Sequence, residues 1–245
     1  MRVPLNGREY LRTANQIESC KGVTIFRQAA NLKRSYDIMC LNFDELEKLL
    51  AWFSVPNNAF RIMAADHPER MYDFMLHADR HLHNYVASVQ TLIDHMRRFI
   101  TKEPHSEFRS QYESRKRILT NSALSTLIPD LRSYFVHYDV PPIGSVLAAG
   151  PGEESETYLA LDCAKLLEWE KWKPQSRDYL MKADSPLRIL DVLRQYQFMI
   201  VDFFIWFHSE MLRTYKEELD ELSELNKKLE DPSPRRTSRR VEQKV

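Results

Sequence analysis

The feature that most constrains this chain is a run of apolar residues between Met71 and Ile100, spaced three or four positions apart. Such spacing is typical of an α-helix that buries one face in a core. A helix of about 30 residues is roughly 45 Å long, and that length predicts a bundle of long helices. The apolar positions are Met71, Phe74, Met75, Ala78, Leu82, Tyr85, Val86, Val89, Leu92, Ile93, Met96 and Ile100.

The part of the chain before this helix is harder to interpret. Asn42, with Glu45 three residues later, is placed to cap a helix that ends before Pro56. Residues 1–40 show no sustained period and form a poorly defined N-terminal segment. They could hold a short strand around Val23 to Arg27 or a short helix.

The part after residue 142 predicts a hairpin and a last helix. Two apolar stretches within residues 143–161 flank the turn-rich sequence GPGEESE, which indicates a small β-hairpin. After Pro186 the spacing predicts a long helix that continues to Leu229, and its end carries Asn226 at a core position of a heptad-like seam. Such an asparagine can fix the register of a paired coil.

The predicted fold class is therefore all-α, a bundle of long antiparallel helices with a small β-hairpin inserted before a long C-terminal helix. The bundle domain is expected to span residues 41–230. Residues 231–245 are rich in Pro, Ser and Arg and are expected to form a disordered basic tail. Only five glycines in 245 residues also disfavour a sheet-rich architecture.

The overall charge and the cysteines exclude several classes of protein. Thirty-five basic and 35 acidic residues cancel, which disfavours a surface built throughout to hold nucleic acid. The three cysteines are Cys20, Cys40 and Cys163, and no two have metal-ligand spacing, so we expect a reduced, cytoplasmic setting. The most apolar stretch, Phe198 to Phe207, is too short to cross a bilayer, so we expect no membrane contact. No glycine-rich phosphate loop or nucleophile elbow is present, so we expect no cofactor.

The candidate site is the segment Leu127 to Pro142, LIPDLRSYFVHYDVPP. Its apolar residues fall on one helical face, and the two prolines end the helix, so His137 lies in the last turn. At about 100° per residue, Arg132 and His137 diverge by roughly 140° around the axis. They can meet through the reach of the arginine, through a distorted helix end, or through a second copy of the chain.

The pattern Arg132-x4-His137 in a helix, followed by Val140-Pro141-Pro142, resembles the R-x4-H motif of HEPN-like all-helical proteins. The long helix with Leu82-His83-Asn84-Tyr85 is similar to that of uncharacterised bacterial helical proteins with the same arrangement. The resemblance covers roughly residues 42–210. It implies a metal-independent endoribonuclease or RNA-binding protein, in a defence or toxin–antitoxin setting, that acts as a homodimer.

The chemistry that the resemblance implies is RNA cleavage by transesterification. His137 would act as general base on a ribose 2′-hydroxyl or as acid on the leaving oxygen, and Arg132 would neutralise the pentacoordinate phosphate. Ser133 would orient His137 or a phosphate oxygen. The alternative is structural, with Arg132 in an ion pair and His137 capping helix carbonyls.

A polar stripe on the long helix borders its apolar face. His77 and His81 in this stripe have the spacing of helical metal ligands, but no further ligand pattern accompanies them, so we expect no metal. We expect the stripe to face the candidate helix, with Asn84 and His95 supporting His137.

A basic region between Arg97 and Arg117 carries aromatic residues between its charges, as RNA-contacting surfaces do. A solvated helix face is the alternative explanation. The candidate RNA-binding residues are Arg97, Arg98, Arg115, Lys116 and Arg117.

A second function comes from another class, a catalytically silent helical scaffold. Such a protein would bind a protein partner or a second copy through its C-terminal helix. The neutral charge favours it, and so does Ser133, because active HEPN-like proteins usually carry Asn, Asp or another strongly polar residue after the arginine.

Overall fold

The structure is a computed structural model, and it describes residues 7–64, 66–148, 155–183 and 186–229. Within these residues the protein is mostly α-helical, with a small antiparallel sheet, as the sequence predicts. The helices are α1 Gly7–Ser19, α2 Lys21–Phe53, α3 Pro56–Ile62, α4 Pro68–Thr101, α5 Ser106–Thr120, α6 Leu124–His137, α7 Cys163–Leu166, α8 Pro174–Lys182, α9 Ile189–Thr214 and α10 Lys216–Leu229. The strands are β1 Ile143–Ala148, β2 Glu156–Leu161 and β3 Leu187–Arg188.

The described residues form two compact units, and the first combines residues 7–30 with residues 211–229. In the described part of this unit, α1 packs on α10. The Lys21 amine lies 2.7 Å from the Glu218 carboxylate and 4.8 Å from the centre of the Tyr215 ring. Gly22 lies directly against the Glu218 carbonyl, so the start of α2 approaches α10 closely.

The C-terminal part of the helix prediction is wrong in two respects. The chain does not continue as one helix to Leu229, because α9 ends at Thr214 and α10 begins at Lys216. Asn226 is exposed, whereas Leu222 and Leu225 are the buried residues of α10. The apolar face of α10 is used against α1 of the same chain, and Asn226 holds no core position.

The second unit, residues 31–210, is built on three long helices. α2 runs antiparallel to α4, since Phe43 meets Tyr85 and Phe53 meets Phe74, with ring centres 5.6 and 4.9 Å apart. Contacts of the same kind show that α2 also runs antiparallel to α9. Consequently α4 and α9 run in the same direction, and the Tyr85 hydroxyl donates to Gln197 across 3.0 Å.

The N-terminal predictions are wrong in part. Of the two alternatives for Val23 to Arg27 the structure has the helix, which is part of the long α2, and Asn42 lies in the middle of α2, so it caps no helix. The apolar period is hidden because Ile38 and Leu41 are exposed while the polar Ser35 is buried. The Ser35 hydroxyl is held by a 2.7 Å hydrogen bond with the ring of His95 on α4.

The predicted hairpin is confirmed, and β3 extends it to three strands. Strands β1 and β2 pair from Ile143 with Leu161 to Ala148 with Glu156. The buried Thr157 donates its hydroxyl to the Phe53 carbonyl across 2.9 Å, which fixes β2 to the end of α2. The central residues of the predicted turn, 149–154, and the predicted disordered tail, 231–245, lie outside the described residues.

None of the helices that the structure describes combines the length and the apolar composition that a bilayer crossing requires.

Candidate functional site

Helix α6 carries the candidate motif and ends where the sequence predicts. Its last residue is His137, and the Tyr138 amide still donates to the Tyr134 carbonyl across 2.9 Å. Pro129 lies inside the helix, which continues through it without a restart. The buried face of α6 comprises Leu124, Leu127, Ile128, Asp130, Leu131 and Tyr134.

A buried carboxylate attaches α6 to α8. Asp130 is only 4% exposed, and its Oδ2 accepts from the Lys173 amide at 3.1 Å and the Ser176 hydroxyl at 2.7 Å. Its Oδ1 accepts from the Lys173 amine at 2.5 Å. Since Lys173 is the N-cap residue of α8, Asp130 satisfies backbone and side-chain donors at that helix start.

An aromatic cluster fixes the same side of α6. Tyr134 stacks on Trp172 at 5.7 Å and meets Trp169 edge-on at 5.5 Å between ring centres. The Trp172 indole donates to the Leu166 carbonyl, and burial raises the pKa of the Tyr134 phenol. Asp130 and this cluster therefore hold one side of α6. Arg132 lies on the opposite side, and His137 is exposed in the last turn of the helix.

Arg132 is partly buried and makes no hydrogen bond or ion pair with any residue that the structure describes. A guanidinium offers five donors in a fixed fork that matches a phosphate or a carboxylate. The expected alternative, an ion pair for Arg132, is not present among the described residues. This arginine is therefore free to bind an anion from outside the chain.

His137 is exposed and likewise makes no side-chain hydrogen bond within the described part of the chain. Its ring is open to solvent at the end of α6, where a proton-transfer group can reach a ligand. It lies five positions after Arg132, a distance of about 7.5 Å along the helix axis. The two side chains thus lie on different flanks of α6, as the helical spacing predicts.

Ser133 is placed differently from the expectation. Its hydroxyl donates to the Pro129 carbonyl at 3.2 Å, one turn back on α6. This bond is the usual one for a serine inside a helix, and it engages the only proton that the hydroxyl can donate. We therefore assign Ser133 a local backbone contact in this structure.

Neither of the two predicted supporting residues makes a hydrogen bond with His137. His95 bonds to Ser35 of α2, so its side chain is directed to α2. Asn84 is exposed. One residue of α4 that does contact α6 is His83, whose ring meets Phe135 edge-on at 5.4 Å. The sequence held a signal for it, since His83 stands beside Asn84 in the quoted motif.

Asp79 is a further residue that sequence reasoning missed. It lies one turn before His83 on the same flank of α4. Its Oδ1 is buried without a hydrogen-bond partner among the described residues, and burial raises the pKa of its carboxyl group. The only sequence signal was the four-residue spacing from His83.

The two histidines with metal-ligand spacing do not form a metal site with the described residues. His81 Nε2 lies 3.1 Å from the Arg80 guanidinium, and its Nδ1 lies 3.4 Å from the Glu45 carboxylate. Burial, and then the Arg80 charge, lower the pKa of His81. No group of three or more potential metal ligands occurs in the described ranges, and a cation beside a ring nitrogen opposes metal binding.

The basic candidates between Arg97 and Arg117 are divided between two situations. Arg97 pairs with Asp94 at 2.9 Å and Lys116 with Glu113 at 3.1 Å, while Arg115 lies 4.8 Å from the Trp206 ring centre. Two candidates are exposed and have neither an ionic partner nor a ring contact in the described part of the chain, at the ends of α4 and α5. These are Arg98 and Arg117.

Comparisons with known proteins give no relative for this chain, since no family model, no curated protein and no solved structure matches it.

Proposed function

We propose that the end of α6 binds RNA and cleaves it without a metal ion. The single observation that carries the proposal is the contrast within α6 between engaged and free polar side chains. Asp130 and Ser133 are hydrogen-bonded within the protein, while Arg132 and His137 have no partner among the described residues. A cation and an imidazole left free on one short helix suit a phosphodiester ligand.

Each free side chain has its own role in this proposal. His137 takes the proton from a ribose 2′-hydroxyl, and the 2′-oxygen attacks phosphorus. The bond between phosphorus and the 5′-oxygen breaks, and the 5′-oxygen takes a proton from water. The products are a 2′,3′-cyclic phosphate and a 5′-hydroxyl end. Because Arg132 lies on a different flank, we assign it to the RNA backbone next to the scissile phosphate, where it holds the strand across α6.

Arg98 and Arg117 supply further positive charge for the same strand. Both are exposed and lack an ionic partner among the described residues, so their donors are available to phosphates. The protein has no net charge, and binding through a few such side chains is therefore expected to be weak and sensitive to salt.

The test is incubation of the purified protein with a mixed RNA pool in EDTA. The proposal predicts slow cleavage by the wild type and none by His137→Ala. His77→Ala is the matched control, because His77 is also an exposed histidine on a helix, and it should cleave like the wild type. Circular dichroism checks that all three proteins are folded. Intact RNA with every protein would overturn the enzymatic part of the proposal.

A second candidate function is that of an interaction protein without catalysis. The observation that favours it is an apolar surface on α9, where Phe198 is 76% exposed. Monomeric proteins rarely leave a large aromatic side chain so open within a wider apolar surface.

A further inference from the structure

The outer face of α9 is unusually apolar. Phe198 and Ile205 are 76% and 55% exposed and lie two turns apart on this face, with the partly buried Val201 between them. On the opposite side of α9, Ile200 and Phe207 are buried. The exposed residues are therefore additional to those that α9 needs for packing within the chain.

Neighbouring helices extend this face on both sides. On α2, Leu41 is 63% exposed and follows Cys40, whose sulfur accepts from the Gln197 amide. On α5, Ile118 is 71% exposed and lies one turn after Arg115, which covers Trp206 of α9. These contacts place Leu41 and Ile118 on the two helices that adjoin α9. We call Leu41, Ile118, Phe198 and Ile205 the α9 patch.

Two charged residues flank the centre of the α9 patch symmetrically. Arg194 lies one turn before Phe198, and Asp202 lies one turn after it. Arg194 contacts Glu47 at 2.7 Å but is still half exposed. Asp202 is exposed and has no ion-pair partner among the described residues. A positive and a negative group, each four positions along the helix from the same aromatic residue, make this face complementary to a second copy of itself.

From this symmetry we infer that the α9 patch is the interface of a homodimer, with α9 of a second copy packed antiparallel and Phe198 at the two-fold axis. A residue that lies a given number of positions before Phe198 in one copy then faces the residue that lies the same number of positions after Phe198 in the other copy. An isologous interface requires this pairing. Arg194 of each chain lies opposite Asp202 of its partner, and Phe198 packs on its counterpart. An unrelated partner would not require this symmetric arrangement of charge.

The chemistry of the patch suits such an interface. A stable dimer buries about 800 Å² on each partner, with an apolar centre and a polar rim. Four large apolar side chains on three helices provide the centre, and the charged pair provides the rim. None of the four patch residues belongs to α4 or α6, and the inference uses none of the side chains that the RNA proposal uses.

Sedimentation equilibrium over a wide range of protein concentrations tests the inference. We expect the wild type to be a dimer and Phe198→Glu to be a monomer at the same concentrations. Tyr72→Glu is the matched control, because Tyr72 is a 70% exposed aromatic residue on α4, and it should remain dimeric. Circular dichroism establishes that the variants are folded.

A charge exchange tests the two-fold arrangement itself. Asp202→Arg places two arginines opposite each other, and we expect it to raise the dimer dissociation constant about tenfold at low salt. The double variant Arg194→Asp, Asp202→Arg restores opposite charges and should recover most of the affinity. A monomeric wild type would overturn the inference. So would dimerisation of Phe198→Glu equal to that of the wild type, or a double variant weaker than the single one.

Discussion

At the scale of single residues, the charged groups of Asp130 and Arg132 on α6 have different uses, one in the fold and the other available to a ligand. Asp130 is buried and accepts three hydrogen bonds from the start of α8, whereas Arg132 binds nothing among the described residues. Removing a buried, fully bonded carboxylate destabilises the fold strongly, whereas truncating an arginine without a partner costs much less stability. Substitution of Arg132 therefore reports mainly on ligand binding.

Arg132→Ala is predicted to weaken RNA binding and to make it less sensitive to salt. One lost phosphate contact on a single strand reduces the slope of log K against log salt concentration by about 0.7. Fluorescence anisotropy with a labelled RNA at several salt concentrations measures both quantities. Arg61→Ala, an exposed arginine on α3, is the control and should match the wild type. An unchanged slope for Arg132→Ala would remove the arginine from the proposed site.

Asp79 leads to a prediction about stability and pH. Burial raises the pKa of its carboxyl group above the usual 3.8, so the folded protein holds this proton more tightly than the unfolded chain does. This tighter binding of the proton stabilises the folded protein at pH values below the usual pKa. The stabilisation is lost as the pH rises through the raised pKa of Asp79. Asp79→Asn should therefore increase Tm at neutral pH and leave it unchanged in acid below that range.

The control for this prediction is Asp73→Asn, since Asp73 is exposed on the same helix. Thermal unfolding followed by circular dichroism at several pH values compares the two variants. A Tm for Asp79→Asn that stays at or below the wild-type value at neutral pH would show that the buried carboxylate is stabilised by a contact that burial alone does not describe.

At the scale of elements, α4 could be predicted because its apolar period is unbroken, and the end of α6 because two prolines follow it. α2 could not, since the buried Ser35 and the exposed Leu41 reverse the expected pattern. The start of α8 depends on Asp130, 43 positions earlier in the chain, so local sequence carries no signal for it. For the candidate site, spacing predicted the divergence of Arg132 and His137, but not the contact between Ser133 and Pro129.

Gly22 gives a test of the packing between α2 and α10. A Cβ at this position would overlap the Glu218 carbonyl and lie 2.9 Å from the Leu222 Cβ. Gly22→Ala should therefore cost about 1–3 kcal/mol in the free energy of unfolding, the usual range for overpacking. Gly7→Ala is the control, because no atom lies within 4 Å of its added Cβ. Urea denaturation measures both variants, and equal stabilities would contradict the close approach.

At the scale of the whole molecule, the division into two units could not be predicted, because the first unit joins residues from both ends of the chain. Hydrophobic periodicity describes faces of helices but not which distant faces meet. The neutral total charge likewise describes the surface only on average, while Arg98, Arg117 and Arg132 remain locally without ionic partners among the described residues. Any RNA contact is therefore expected to be confined to a small part of the surface.

The central claim is that His137 of α6 takes a proton from a 2′-hydroxyl of the RNA, so that the 2′-oxygen attacks the neighbouring phosphate. The most direct measurement uses a set of DNA oligonucleotides, each with one ribonucleotide at a different position, incubated with the protein in EDTA. The wild type is predicted to cut only after the ribonucleotide, leaving a 2′,3′-cyclic phosphate, and His137→Ala is predicted to cut none of them. Cleavage of the all-DNA strand, or equal cleavage by His137→Ala, would contradict the account.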